Sequence, residues 1–238
     1  MEEVIHAFLG LIAGTIGGGL FSFYQKKKNA SIDDKIEAKR KLKKYSKSLW
    51  FDLHEINYRL KNIKTNLKSN NFKEVLPLTY HPDINMDMDI DWYTKDGYFI
   101  TSTAYLFSSL SCWISIYQRD VTFLDFGESS NSADFYRKIE RLKQSISNTE
   151  KGSIMWYHYF NSIGENIIEN TQNSPITFAR FINQLDSDIK FRLFYSQTFY
   201  FLNTLSKIES IDLIEHIMNQ IEDCQDFLEQ HIDIPRID

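Results

Sequence analysis

The chain has 238 residues, 42% hydrophobic and 15% aromatic, enough to bury one sizeable core. A formal net charge of −5 argues against nucleic acid as the main ligand, and two cysteines without a CxxC pair exclude a disulfide framework and a thiolate metal site. Five of the nine glycines crowd between Gly10 and Gly19, and only four prolines occur, so the punctuation of a many-stranded β protein is missing and the fold class reads as all-α.

Val4–Tyr24 is a run of 21 residues without a formal charge, followed by Lys26, Lys27 and Lys28. At about 1.5 Å per residue such a helix reaches roughly 30 Å, the thickness of a hydrocarbon core. Glu2 and Glu3 precede the run and lysines follow it, the reverse of a cleaved signal peptide, so residues 1–28 read as a retained transmembrane anchor with a lysine stop. Positive charge concentrates on the cytoplasmic side, which predicts a single-pass protein of a bacterial inner membrane with its C-terminal body in the cytoplasm. Gly10, Gly14, Gly18 and Ser22 recur every fourth residue and line one helix face with small side chains, a pattern that predicts helix packing and a homo-oligomer.

Residues 29–68 read as a basic juxtamembrane and heptad helix. From Lys26 to Lys47, ten Lys/Arg stand against Asp33, Asp34 and Glu37, a net +7 that leaves Ser48–Asp238 at −10. Lys26, Lys27, Lys28, Lys39, Arg40, Lys41, Lys43 and Lys44 are the residues expected to meet anionic lipid, at about 1 kcal/mol each close to the surface. Ser31 and Asp34 give a capping signal, and Leu49, Leu53, Ile56, Leu60, Ile63 and Leu67 alternate spacings of four and three, the seam of a bundle or coiled-coil helix.

Residues 69–238 read as an α-helical cytosolic domain of about six helices. Pro77 and Pro82 predict a loop, and Asp83, Asn85, Asp87, Asp89 and Asp91 alternate with apolar residues, which predicts an extended segment. This acidic run fails as a calcium loop, because the sixth and twelfth positions from Asp83 hold Met88 and Thr94. Gly97–Gln118 is uncharged for 22 residues, but its many Ser and Thr suit a central core helix better than one facing lipid. Further helices are predicted over Ala133–Ser147, Ile154–Glu169, Ile176–Leu185 behind a Ser174-Pro175 cap, Ile189–Ile208 and Ile211–His231.

No phosphate loop, nucleophile elbow, zinc helix or Arg–His ribonuclease spacing is present, so no cofactor or metal is implied. The best catalytic candidates are His158 and Glu165, seven apart and able to share a helix face as acid and base. A second alternative is a small-ligand sensor whose aromatic core pocket would be lined by Trp113, Trp156 and Tyr195.

The stretches ITSTAYLFSSLSCWISIYQRDVTFLDFG and WYHYFNSIGENII resemble a loosely defined family of uncharacterised bacterial proteins that pair an N-terminal membrane segment with a helical body. The resemblance runs from about Tyr98 to Leu205 and implies architecture without residue roles. The function expected from these readings is a membrane-anchored helical protein that works through self-association and a protein partner, as an accessory or effector part of bacterial stress or phage defence. The full chain is expected to stay in the membrane pellet through carbonate and high-salt washes, while a fragment beginning at Ser31 stays in the supernatant; release of the full chain by salt alone would refute the spanning assignment.

Overall fold

The computed structural model describes residues 36–37, 39–69, 88–120, 129–169 and 171–232. The anchor with its Gly10, Gly14, Gly18 and Ser22 face, the Lys26–Lys28 stop, the Ser31 cap, the Pro77–Pro82 loop and Asp83–Asp87 lie outside them. The chain divides into two units, Met1–Lys43 and Lys44–Asp238. In the first, the described residues are helical, and Lys41 pairs with Glu37 one turn away (2.8 Å) while Lys39, Arg40 and Lys43 are exposed.

The second unit is mostly helical. Helix α1, residues 44–69, carries the seam, and all six of its leucines and isoleucines are buried at 0–1% exposure. Each such burial is worth about 1.5–3 kcal/mol, more than any surface ion pair supplies. The seam is therefore spent inside this chain's own body. Two polar rows flank it. On one side Trp50 donates from Nε1 to Glu229 (3.1 Å), Asn57 donates to Glu222 (3.5 Å), and Lys64 and Lys68 pair with Glu215 (3.5 and 3.0 Å). On the other side Tyr45 packs on Trp113 (ring centroids 6.1 Å), and Arg59 donates to the Ser102 and Thr103 hydroxyls (both 2.9 Å) and to the Phe99 carbonyl (3.4 Å). Along both rows the partner numbers fall as those of α1 rise, so α1 runs antiparallel to both α3 (Tyr98–Asp120) and α8 (Ile211–His231).

Helix α3 is the central element. The stretch Tyr98–Arg119 is long and apolar enough to cross a membrane, yet 78% of its apolar window is buried inside the body. Several of its hydroxyls are satisfied within the fold, as suits a core helix: Thr103 donates to the Phe99 carbonyl (2.6 Å), Ser108 to Ala104 (2.8 Å) and Ser111 across to Phe160 (2.5 Å), while the buried Thr101 hydroxyl has no partner among the described residues.

The short α2, Ile90–Thr94, replaces the extended segment expected through Asp91. Asp89 accepts a hydrogen bond from the Trp92 amide (3.0 Å) and Asp91 pairs with Lys95 (2.9 Å), so local capping overrides the period-two pattern. Helix α4, Ser129–Ile146, lies along α8, with Phe135 stacked on Phe227 at 5.0 Å. Helix α5 covers Tyr157–Glu165 only, and the expected helical tail to Glu169 is instead a two-residue strand, β1 (Ile168–Glu169), paired antiparallel with β2 (Ser174–Pro175). Asn173 turns this hairpin at φ +50°, a conformation that asparagine tolerates. Ser174-Pro175 therefore does not cap a helix. Thr177 does, accepting from the Arg180 amide at the start of α6 (Phe178–Ser187), and Asp188 caps α7 (Ile189–Leu205) through the Lys190 and Phe191 amides.

Helix α5 seats on α3 through Gly164. A methyl group there would lie 2.3 Å from the Cys112 nitrogen and the Ser111 carbonyl carbon, both backbone atoms that cannot step aside. Gly164→Ala is expected to lower stability by about 1–3 kcal/mol or more in urea denaturation. Gly152 sits at φ +86° in open space, where a side chain meets no neighbour but strains the backbone, so Gly152→Asn should cost about 1 kcal/mol. Equal stability of Gly164→Ala and the parent would show that the two helices do not touch there.

Candidate functional site

His158 and Glu165 do not form a pair. Both are exposed on α5, and seven residues of helix separate them by about 10 Å along the axis. Among the described residues no hydrogen bond joins them; the His158 ring stands edge-on to Tyr157 (5.6 Å), and its backbone carbonyl accepts from the Ser162 hydroxyl (2.9 Å). The three aromatics proposed to line a ligand pocket do not converge either. Trp113 is buried, Tyr195 is buried with its hydroxyl donated to the Ile163 carbonyl (2.8 Å), and Trp156 is 71% exposed. Cys112 and Cys224 are both free and buried, and burial pushes each thiol up to about 12, so neither is a reactive thiolate at neutral pH.

Two ionisable clusters that sequence spacing did not single out are assembled instead. The first centres on Glu140 of α4. Its carboxylate accepts from Gln118 of α3 (2.9 Å), from Lys143 one turn on (3.0 Å) and from the Tyr157 hydroxyl of α5. The Lys143 side chain is only 4% exposed, and its ammonium also lies over the Tyr157 ring, 4.6 Å from the centroid. Burial would raise the Glu140 carboxyl, but the hydrogen bonds from Tyr157, Lys143 and Gln118 outweigh it and hold the group below its usual range. For Lys143 burial works downward, and the bonds to Tyr157 and Glu140 win, so its pKa is raised. A lysine that serves as base or Schiff-base nucleophile needs the opposite shift. This cluster is a fully paired clamp that joins α3, α4 and α5.

The second cluster lies between α1 and α3. Asp52 follows Tyr45 by seven residues and precedes Arg59 by seven, so it belongs to the α1 row that faces α3, where the Ser109 hydroxyl favours its ionised form. Its Oδ2 is shut off from solvent and has no hydrogen-bond partner among the described residues. Burial is the main cause that pushes the carboxyl up to about 7, with the Glu55 charge adding to it and Ser109 opposing. Tyr105 and Cys112 share this interface, and the Asp52 charge, after burial, helps to keep both of their protons in place. Tyr105 is already committed, donating to the Ile176 carbonyl (2.8 Å). Arg59, two turns away, is spent on Ser102, Thr103 and Phe99 and leaves Asp52 without a counter-charge of its own. The arrangement places a carboxyl that titrates near neutral pH on a helix–helix contact.

Compared with protein-family models, with curated proteins and with solved structures, the chain matches none. What the residues define is a mostly helical body with a proton-bearing α1–α3 contact and a clamped α3–α4–α5 junction.

The folded chain keeps the Asp52 proton up to about pH 7, whereas an unfolded chain releases it near pH 4, so this group's contribution to stability falls as pH rises between the two and is level above. Asp52→Asn should consequently gain on the parent by about 1–2 kcal/mol between roughly pH 4 and pH 7, the exposed part of the side chain limiting the effect. Identical pH profiles of urea denaturation for the two proteins would show that Asp52 is not desolvated.

Proposed function

We propose that this is a membrane-anchored helical protein that acts by self-association and by presenting its body to another protein, a role suited to an accessory or effector part of bacterial stress or phage defence. The apolar run Val4–Tyr24, its small-residue face and the lysines behind it support the anchor and the association. The single observation that carries the protein-contact reading is the exposed apolar surface around Trp156. Ile189, Leu193 and Tyr200 project from one stripe of α7 and are exposed, and Gln197 of the same stripe donates to the Ile154 carbonyl (3.2 Å), which brings the exposed Ile154 and Trp156 beside it. Exposed tryptophan and tyrosine among apolar neighbours are the residue types that dominate binding at protein interfaces.

Cross-linking in native membranes tests both halves on the full chain. Gly14→Leu places a branched side chain where two anchor helices would meet, and should abolish the homo-oligomer band while insertion persists. Trp156→Glu should keep that band and lose the cross-links to other proteins. An unchanged oligomer in inserted Gly14→Leu overturns the self-association reading, and an unchanged partner pattern in Trp156→Glu overturns the contact surface.

A further inference from the structure

A cleft of about 270 Å³ lies between the C-terminal half of α4 and the first half of α8, lined by Arg141, Gln144, Ser145, Asn148, His216 and Gln220. No carboxylate lines it, although the body from Ser48 onward carries a net charge of −10. Three of the nearby acids are engaged elsewhere, Glu140 by Gln118, Lys143 and Tyr157, Glu215 by Lys64 and Lys68, and Glu222 by Asn57, while Asp212 and Asp223, one turn before and two turns after His216 on α8, are exposed and do not line the cleft. Arg141 is exposed at the cleft and makes no hydrogen bond or ion pair among the described residues. Asn148 spends its side-chain oxygen on the Lys151 amide (3.2 Å), which leaves its amide hydrogens as donors. Ser145 donates to the Leu142 carbonyl (2.7 Å) and closes the floor. Gln144 and Gln220 bring two further side-chain amides, one from each wall.

From this unpaired guanidinium, the surrounding amide donors and the missing carboxylates, we infer that the α4–α8 cleft binds a small phosphate group, as the free ion or as a phosphate monoester. Arg141 supplies the charge-assisted fork that matches two phosphate oxygens, and Gln144, Asn148 and Gln220 supply neutral donors around it. His216, half-buried at the cleft, is the built-in reporter. Burial first and the Lys151 charge second hold its imidazole below the ordinary value. An anion bound between Arg141 and His216 favours the imidazolium and reverses that shift. Lys151 is the cation acting on the ring from outside α8, Arg141 lines the same cleft, and on α8 itself Glu215 is bound to α1 lysines while Asp212, one turn before His216, is exposed.

The test is histidine-selective NMR of the full chain in detergent micelles at fixed chloride-balanced ionic strength. Inorganic phosphate and glycerol 3-phosphate are the two probes, with sulfate as the competing dianion. The expected result is a saturable shift of the His216 resonances and a higher His216 pKa in the bound state, with affinity falling by about tenfold or more in Arg141→Gln. Tighter binding of glycerol 3-phosphate than of inorganic phosphate assigns the monoester, and the reverse order assigns the free ion. A His216 signal that moves only linearly with either probe, or an affinity unchanged in Arg141→Gln, overturns the inference, and so does sulfate binding as tightly as both probes. Arg141 is exposed and outside the core, so its replacement leaves the fold in place as the reference for the comparison.

Discussion

The fold depends on α1 being used on three sides at once. Its fourth-and-third-residue seam is buried, the row one position C-terminal to Leu49 and Ile56 reaches the acidic row Glu215, Glu222 and Glu229 of α8, and the row Tyr45, Asp52 and Arg59 reaches α3. Burial of the seam supplies the energy, and the two flanking rows fix the register, because each recurs every seventh residue and a slip of one turn would unmake every pair. A seam consumed in this way offers nothing to a second copy of the chain. Association would have to draw on another surface.

Lys143, Arg59 and Asp52 are taken at least partly into this body, and each is accommodated by a different device. Lys143 is paired with a carboxylate and capped by an aromatic face. Arg59 stays charged, spread over two hydroxyls, a carbonyl and the Phe99 ring (5.0 Å from its centroid), at the cost of a pKa lowered by burial. Asp52 has neither a cation nor a full set of donors, and it keeps a proton instead. These differences follow from what the facing helix carries. Helix α3 offers hydroxyls, which satisfy a guanidinium well and a carboxylate only in part.

Much of this was legible in residue spacing and some was not. The six seam positions and the buried character of Gly97–Gln118 could be read directly, since periodicity and serine content are local properties of the chain. The hairpin at Ile168–Pro175 could not, because its strand β2 lies against α3 and its strand β1 is tied to α6 through Arg180 and Glu169, contacts that no local pattern records. Ser174-Pro175 carried a sound capping signal that Thr177, two residues on, satisfied instead. His158 and Glu165 shared a face as expected, but two helical turns kept them apart. The Glu140 clamp draws Gln118 and Tyr157 from 22 and 17 residues away, a juxtaposition that only tertiary packing creates. Asp52 did leave a trace, in the seventh-residue spacing from Tyr45 to Arg59 beside the seam.

Helix α5 is only nine residues long, too short to be stable alone, yet it is fastened at both ends: Tyr157 to Glu140 at its start and Gly164 to the α3 backbone at its finish. Trp156 is the residue immediately before that first fastening. Its indole is thus exposed on a backbone that has already lost its freedom during folding, so whatever meets it pays little further entropy to order the chain around the ring. The core fastening and the outward tryptophan are one device, in which stability gained inside is turned into pre-organisation outside.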